Sequence, residues 1–114
     1  NPKKIIDNGG QVFFAVENQN AIGTVAMIKS SDYKFELAKM TVKENYRGKG
    51  IANMLMDHCL NFAKYKNVKE IFLISNDSLT IARNLYDKYG FKEVDLDSRK
   101  YDRGNVKMIL KITN

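Results

Sequence analysis

A long amphipathic helix followed almost at once by an apolar strand lies at the centre of this chain, and few folds accept that pair. Over residues 50–66, Ile51, Leu55, Cys59 and Phe62 form one row at helical spacing, and Ala52, Met56, Leu60 and Ala63 form the next. Asn53, Asp57, Asn61 and Lys64 make a polar row beside them. Glu70–Ser75 then reads E-I-F-L-I-S, a nearly continuous apolar run of the kind a buried central strand needs. Another strand-like stretch, 33–42, precedes the helix. The order strand, helix, strand predicts a βαβ unit, whose two strands lie parallel.

The flanks extend this α/β pattern. Residues 12–17 are rich in β-branched and aromatic side chains, Asn18-Gln19-Asn20 reads as a turn, and 21–29 resume as a strand, which predicts a hairpin. Within 33–42, Phe35 and Leu37 share one parity, while Ala38, Met40 and Val42 share the other. The alternation slips between Leu37 and Ala38. A β-bulge produces such a slip and frees backbone groups beside it; a strand buried on both faces fits the pattern equally well. A second helix is expected over 77–89, capped by Asp77 or Ser78, with Leu79, Ala82, Tyr86 and Tyr89 on one face and Gly90 as its stop. Strands are expected at 91–94 and 106–112, with a polar loop between them.

A chain of 114 residues fits one domain, so a single core must support any site it carries. Its 44% hydrophobic and 28% charged residues and single proline suit a packed globule. Cys59, the lone cysteine, excludes an internal disulfide, and no apolar run approaches the roughly 18 residues of a membrane span. A cytoplasmic setting without membrane partners is therefore expected. The first residue is Asn and not Met, so the chain can be part of a longer one. The net charge of +6 suits polyanionic ligands. Nucleic acid is disfavoured among them, because the lysines are scattered and the cluster Arg99, Lys100 and Arg103 is interrupted by Asp102 and preceded by Asp97.

Chemistry begins between the third strand and the long helix, at Tyr46-Arg47-Gly48-Lys49-Gly50-Ile51-Ala52. Two glycines allow a tight turn that aims successive amides at a ligand, and the helix start adds unpaired donors and a positive dipole end. Arg47 and Lys49 put cationic charge at the same place. Such a loop can cradle a diphosphate; it can also be a strand-to-helix turn that uses glycine for geometry alone. The lysine and hydroxyl of G-x-x-x-x-G-K-[ST] are missing, and Asn53 stands where G-x-G-x-x-G needs its third glycine. Nucleotide hydrolysis and dinucleotide binding are accordingly poor readings. No group of His, Cys and carboxylates has metal-ligand spacing, so no metal is expected.

These residues resemble the acetyl-CoA-binding motif of the GNAT superfamily of N-acetyltransferases. Its core, Q/R-x-x-G-x-G/A, is met by Arg47, Gly50 and Ala52 within 42–52. A second signature, N…A-x-x-L-Y-x-K-x-G-F, is met downstream by Asn76, Ala82, Leu85, Tyr86, Lys88, Gly90 and Phe91. The resemblance implies the GNAT fold: a mixed, mostly antiparallel sheet splayed open at a central parallel pair and flanked by helices. It implies that pantetheine enters the gap, where backbone groups near Met40 and Val42 meet its amides. It also places the diphosphate of acetyl-CoA on the amides of Arg47, Gly48, Lys49, Gly50, Ile51 and Ala52, with Asn76 near the pantetheine or the adjacent helix.

Acetyl transfer to an amine requires two proton movements, because an ammonium cannot attack and a thiolate leaves more readily with a proton. A lysine-like amine, with a pKa of about 10.4, is neutral in roughly one molecule in 10³ near pH 7. By resemblance, Tyr86 is the acid that protonates the departing sulfur; spacing alone favours instead a member of an apolar stripe with Ala82 and Tyr89. Glu36, in the strand leading to the loop, is by the same resemblance the candidate base, and is equally an ordinary strand carboxylate. His58 lies inside the long helix, away from the loop, and Cys59 shares a core row.

One departure bears on the acceptor. Members of the family usually begin with a strand and one or two helices that wall the acceptor site, whereas about ten residues precede the first strand here. These N-terminal elements are expected to be short or absent, so that a longer chain or a homodimer partner supplies the wall. Asp95 and Asp97 could attract a cationic amine or simply belong to a solvated loop. The acceptor is expected to be a primary amine of a small molecule or peptide; a non-catalytic acyl-CoA-binding regulatory module is the alternative.

Overall fold

The computed structural model describes residues 1–75, 80–95 and 106–113. The first hairpin joins β1 (Gln11–Glu17) to β2 (Asn20–Lys29) through Asn18 and Gln19, whose φ angles of 50° and 70° are both positive. That is the two-residue turn whose twist matches antiparallel strands. β3 (Lys34–Val42) pairs antiparallel with β2, and a short 3-10 turn at Glu44–Tyr46 leads towards α2 (Ile51–Tyr65). β4 (Glu70–Ser75) follows, then α3 (Thr80–Lys88), β5 (Lys92–Val94) and β6 (Val106–Lys111). The six strands form one mixed sheet in the order β1-β2-β3-β4-β6-β5, in which β3 and β4 are the parallel pair.

The parallel pair is short. Its register covers only Lys34↔Glu70, Phe35↔Ile71 and Glu36↔Phe72, after which the two strands run on without pairing to Val42 and Ser75. The sheet is therefore forked at Glu36. Glu70 fastens the closed end: its carboxylate reaches Lys34 Nζ at 3.5 Å on one side and Lys111 Nζ at 3.9 Å on the other. Such cross-strand pairs contribute roughly 0.2–1 kcal/mol each and fix register more than they add stability.

The bulge in β3 is real, but it lies further along than the side-chain alternation indicates. Thr24 pairs with Thr41 and Ala26 with Ala38, so the extra residue falls at Lys39 and Met40, and Lys39 has a φ of 58°. Phe35 and Leu37 face the core before the bulge, and Met40 and Val42 pack against the same core after it. The phase change thus keeps one face apolar, which disposes of the reading in which β3 is buried on both sides.

α2 covers that face. Leu55, Met56, Cys59 and Ala63 are its buried side chains, and Phe62 meets Phe13 and Phe35 edge-on at centroid distances of 6.3 and 5.8 Å. Fully burying Leu55 or Met56 is worth roughly 1.5–3 kcal/mol each, and Cys59 and Ala63 add less, so the helix is held mainly by this stripe. α3 lies in the same layer, since its end bonds to α2, as described below. It stops at Gly90, whose φ is 96°: Phe91 N donates to Tyr86 O at 3.0 Å and Gly90 N to Asp87 O at 3.0 Å, with the Tyr86 and Phe91 rings 5.9 Å apart. The expected caps Asp77 and Ser78 lie outside the described residues.

The N-terminal segment holds one helix, α1 (Pro2–Asp7), with Asn1 Oδ1 accepting from Lys3 N at 3.0 Å and no buried residue. Six residues make a short element, in keeping with the expectation for this end. No described helix is long and apolar enough to cross a membrane.

Candidate functional site

The glycine-rich loop leaves the open end of β3. Gly48 and Gly50 have φ angles of 78° and 83°, and a Cβ added to either would have nothing within 4 Å. Their glycine identity is therefore demanded by backbone conformation, not by crowding from the rest of the protein. Gly50 is the N-cap of α2, and its carbonyl accepts the first helical bond from Met54 N at 3.1 Å. None of the amides of residues 48–53 finds a backbone acceptor among the described residues. A row of unused N–H groups at a helix N-terminus, exposed at Gly48, Lys49 and Gly50 and half-buried from Ile51 to Asn53, is an anion site in form.

The cations beside it are arranged unequally. Arg47 Nε donates to Val42 O at 3.0 Å, which braces the last residue of β3 against the loop and leaves the rest of the guanidinium at the exposed surface. Lys49 Nζ sits 5.5 Å from the centroid of the Tyr46 ring. The Glu17 carboxylate at the end of β1, as an acceptor and as a negative charge, pushes the Tyr46 phenol above the ordinary range. The approach to the loop is tied to the hairpin by Lys43 N, which donates to Ile22 O at 2.8 Å, and the loop itself to β3 by Arg47.

Met40 and Val42 lie on the stretch of β3 that has left β4, half-buried against the core. Ile51 and Ala52 open α2, and Ile51 also packs against the core. Glu36 occupies the last paired position before the fork, flanked by Ile28 of β2 and Phe72 of β4. Because its neighbours Phe35 and Leu37 face α2, strand alternation sends the Glu36 side chain to the opposite face. Tyr86 belongs to the helical layer and is 7% exposed; burial raises its pKa. The two candidate proton carriers therefore start from opposite faces, and the fork is an opening between those faces. Asn76 lies outside the described residues, as does Asp97, while Asp95 is exposed.

The remaining titratable candidates lie apart from this arrangement. His58 is exposed, its ring 5.6 Å from that of Phe13. Cys59 is fully buried, and burial pushes its thiol up to about 12. No group of three or more His, Cys, Asp or Glu among the described residues is placed to hold a metal ion. One contact was not read from the sequence: Tyr89, at the end of α3, bonds to Asn53 and Asp57 of α2. Only the polar row of α2 hinted that this flank has a partner.

Residues 8–93 match the family model described as acetyltransferase (GNAT) domain. The N-acetylaspartate synthetase of Xenopus tropicalis is 37% identical over 87 residues, which cover 75% of this chain and 32% of that protein. Human N-acetyltransferase 8B is 28% identical over 97 residues, covering 80% of this chain and 43% of its own. The chain thus spans about a third of the synthetases it matches. Among solved structures, a GNAT-family acetyltransferase from Staphylococcus aureus Mu50 superposes with a TM-score of 0.87 at 29% identity, over 97% of this chain and 73% of that one. A structure described as a putative streptothricin acetyltransferase from Bacillus anthracis in complex with acetyl coenzyme A shares the fold, with a TM-score of 0.82 at 20% identity over 98% of this chain and 69% of that one.

Proposed function

Because this chain belongs to the GNAT acetyltransferase family, we propose that it moves an acetyl group from acetyl-CoA to a primary amine, by direct attack of the amine within one ternary complex. The observation that carries the reading is the loop at 48–53, where two left-handed glycines lead into a helix start whose first amides find no backbone acceptor, beyond the open end of β3. These residues fit a diphosphate: the donors are free, cationic side chains stand beside them, and the space a Cβ would take at Gly48 or Gly50 is open. Arg47, Gly48, Lys49, Gly50, Ile51 and Ala52 would hold that group, and the backbone of β3 at Met40 and Val42 would meet the extended arm. Acetyl-CoA supplies the acetyl group as a thioester and leaves as a thiol.

The protein's own part is proton handling and orientation. Tyr86 is protonated at neutral pH, and burial, which raises its pKa, makes it a weaker acid, so it donates only as negative charge develops on the departing sulfur. Glu36, at the fork and on the other face, receives the ammonium proton directly or through water. The amine then approaches from the face opposite α2. The six-residue α1 makes a small wall there, and a homodimer partner or a longer chain would complete it. A cytoplasmic setting belongs to the same proposal.

Thiol release from acetyl-CoA, measured across polyamines, aminoglycosides, amino acids and N-terminal peptides, tests the reading. Turnover is expected with at least one amine, and Tyr86→Phe should lose roughly tenfold or more in kcat while CoA binding is kept. A Tyr86→Phe protein with the parental rate would remove the acid role. Acetyl-CoA binding without thiol release for any amine would favour the non-catalytic module instead.

A further inference from the structure

Tyr89 carries more polar contacts than a residue on an apolar stripe needs. Its hydroxyl lies 2.9 Å from Asp57 Oδ1, 3.2 Å from the Asn53 carbonyl oxygen and 3.3 Å from Asn53 Oδ1. A phenol has one proton to donate, and the short contact to an ionised carboxylate takes it best. The neighbouring Lys88 Nζ donates to Asn53 Oδ1 at 3.1 Å. Among the described residues these are the polar contacts that join α3 to α2.

Both ends of this junction are functional ground. Asn53 stands in the first turn of α2, and its own amide is one of the unused donors of the anion site. At the other end, the Tyr86 carbonyl accepts from Tyr89 N at 3.1 Å and from Phe91 N at 3.0 Å, so the cap that closes α3 makes Tyr86 and Tyr89 one rigid unit. A displacement of Tyr89 from α2 therefore displaces Tyr86 as well. We propose that Tyr89, through Asp57 and Asn53, is a positioning residue that sets Tyr86 relative to the anion-binding turn of α2. The inference rests on the reading of Tyr86 as the acid. Proton transfer is steep in distance, and a misplacement of about 1 Å can cost roughly 10²-fold.

The test compares Tyr89→Phe, Asp57→Leu, Asp57→Asn, Tyr86→Phe and the double variant Tyr86→Phe/Tyr89→Phe, each by kcat, KM for acetyl-CoA, calorimetric Kd for CoA, and Tm. Tyr89→Phe and Asp57→Leu should lose about fivefold to twentyfold in kcat with Kd for CoA kept within about threefold. Asp57→Asn retains an acceptor oxygen and should recover most of the rate. The double variant should be no slower than Tyr86→Phe alone, because a misplaced acid cannot be lost twice. Parental kcat in Tyr89→Phe overturns the proposal, whether or not Tm falls. So does a double variant whose losses multiply, or a CoA affinity that falls as far as kcat. If Tyr86→Phe itself turns over at the parental rate, the acid reading has failed and the positioning role falls with it; Tyr86→Phe thus separates the two failures.

Discussion

Gly50 has a left-handed backbone, a helix start behind it and open space in front. A side chain there meets two obstacles: the φ of 83° strains any β-branched residue by roughly 1–3 kcal/mol, and its bulk would stand among the amides proposed to hold the diphosphate. Gly50→Val is accordingly expected to fold with reduced stability and to bind CoA at least tenfold more weakly by calorimetry. Folded Gly50→Val with parental affinity would mean that the diphosphate is held elsewhere. Arg47 illustrates how a motif residue can do two things, since Nε is already committed to the carbonyl of Val42 while the rest of the guanidinium remains at the surface.

Among the strands, β3 shows how far a pattern can be trusted. The slip in side-chain parity revealed a bulge, yet the structure puts the extra residue at Lys39 and Met40, because alternation records which way side chains point and not where the ladder breaks. Lys39 holds a φ of 58°, so Lys39→Val should cost about 1–2 kcal/mol in urea unfolding. A midpoint unchanged from the parent would argue that the bulge relocates freely. The hairpin, α2 and β4 were readable almost to the residue, since each has a strong period or an unambiguous turn. α1 was not, because six residues with no buried side chain leave no periodicity to detect. The shortness of the β3–β4 pairing came only from family resemblance, as nothing in the local sequence of β4 announces that its neighbour departs after Glu36. The bond from Tyr89 to Asp57 joins residues 32 apart, and the polar row of α2 gave no reason to choose that partner.

The core joins both halves of the sheet to the helices, and Cys59 sits inside it with no exposed surface. Its thiol, pushed up to about 12 by burial, has neither the thiolate nor the access that labelling requires. At pH 8 a disulfide reagent should therefore modify the folded protein roughly 10³-fold or more slowly than the unfolded one, as reaction must wait for opening. Added CoA should slow it further if the ligand binds only the folded form. Native labelling within about tenfold of the unfolded rate would show that the helical layer opens far more readily than its packing implies.

The short register between β3 and β4 bears on how this molecule holds together. A strand pair that ends after Glu36 leaves the far ends of β3 and β4 without a shared ladder, so beyond that point β1–β3 and β4–β6 are joined through the common apolar core. An extended ligand arm seated in the cleft would lengthen that seam from the front. Substrate binding and the mechanical unity of the sheet are then one property, and catalysis would take place where the fold is least finished.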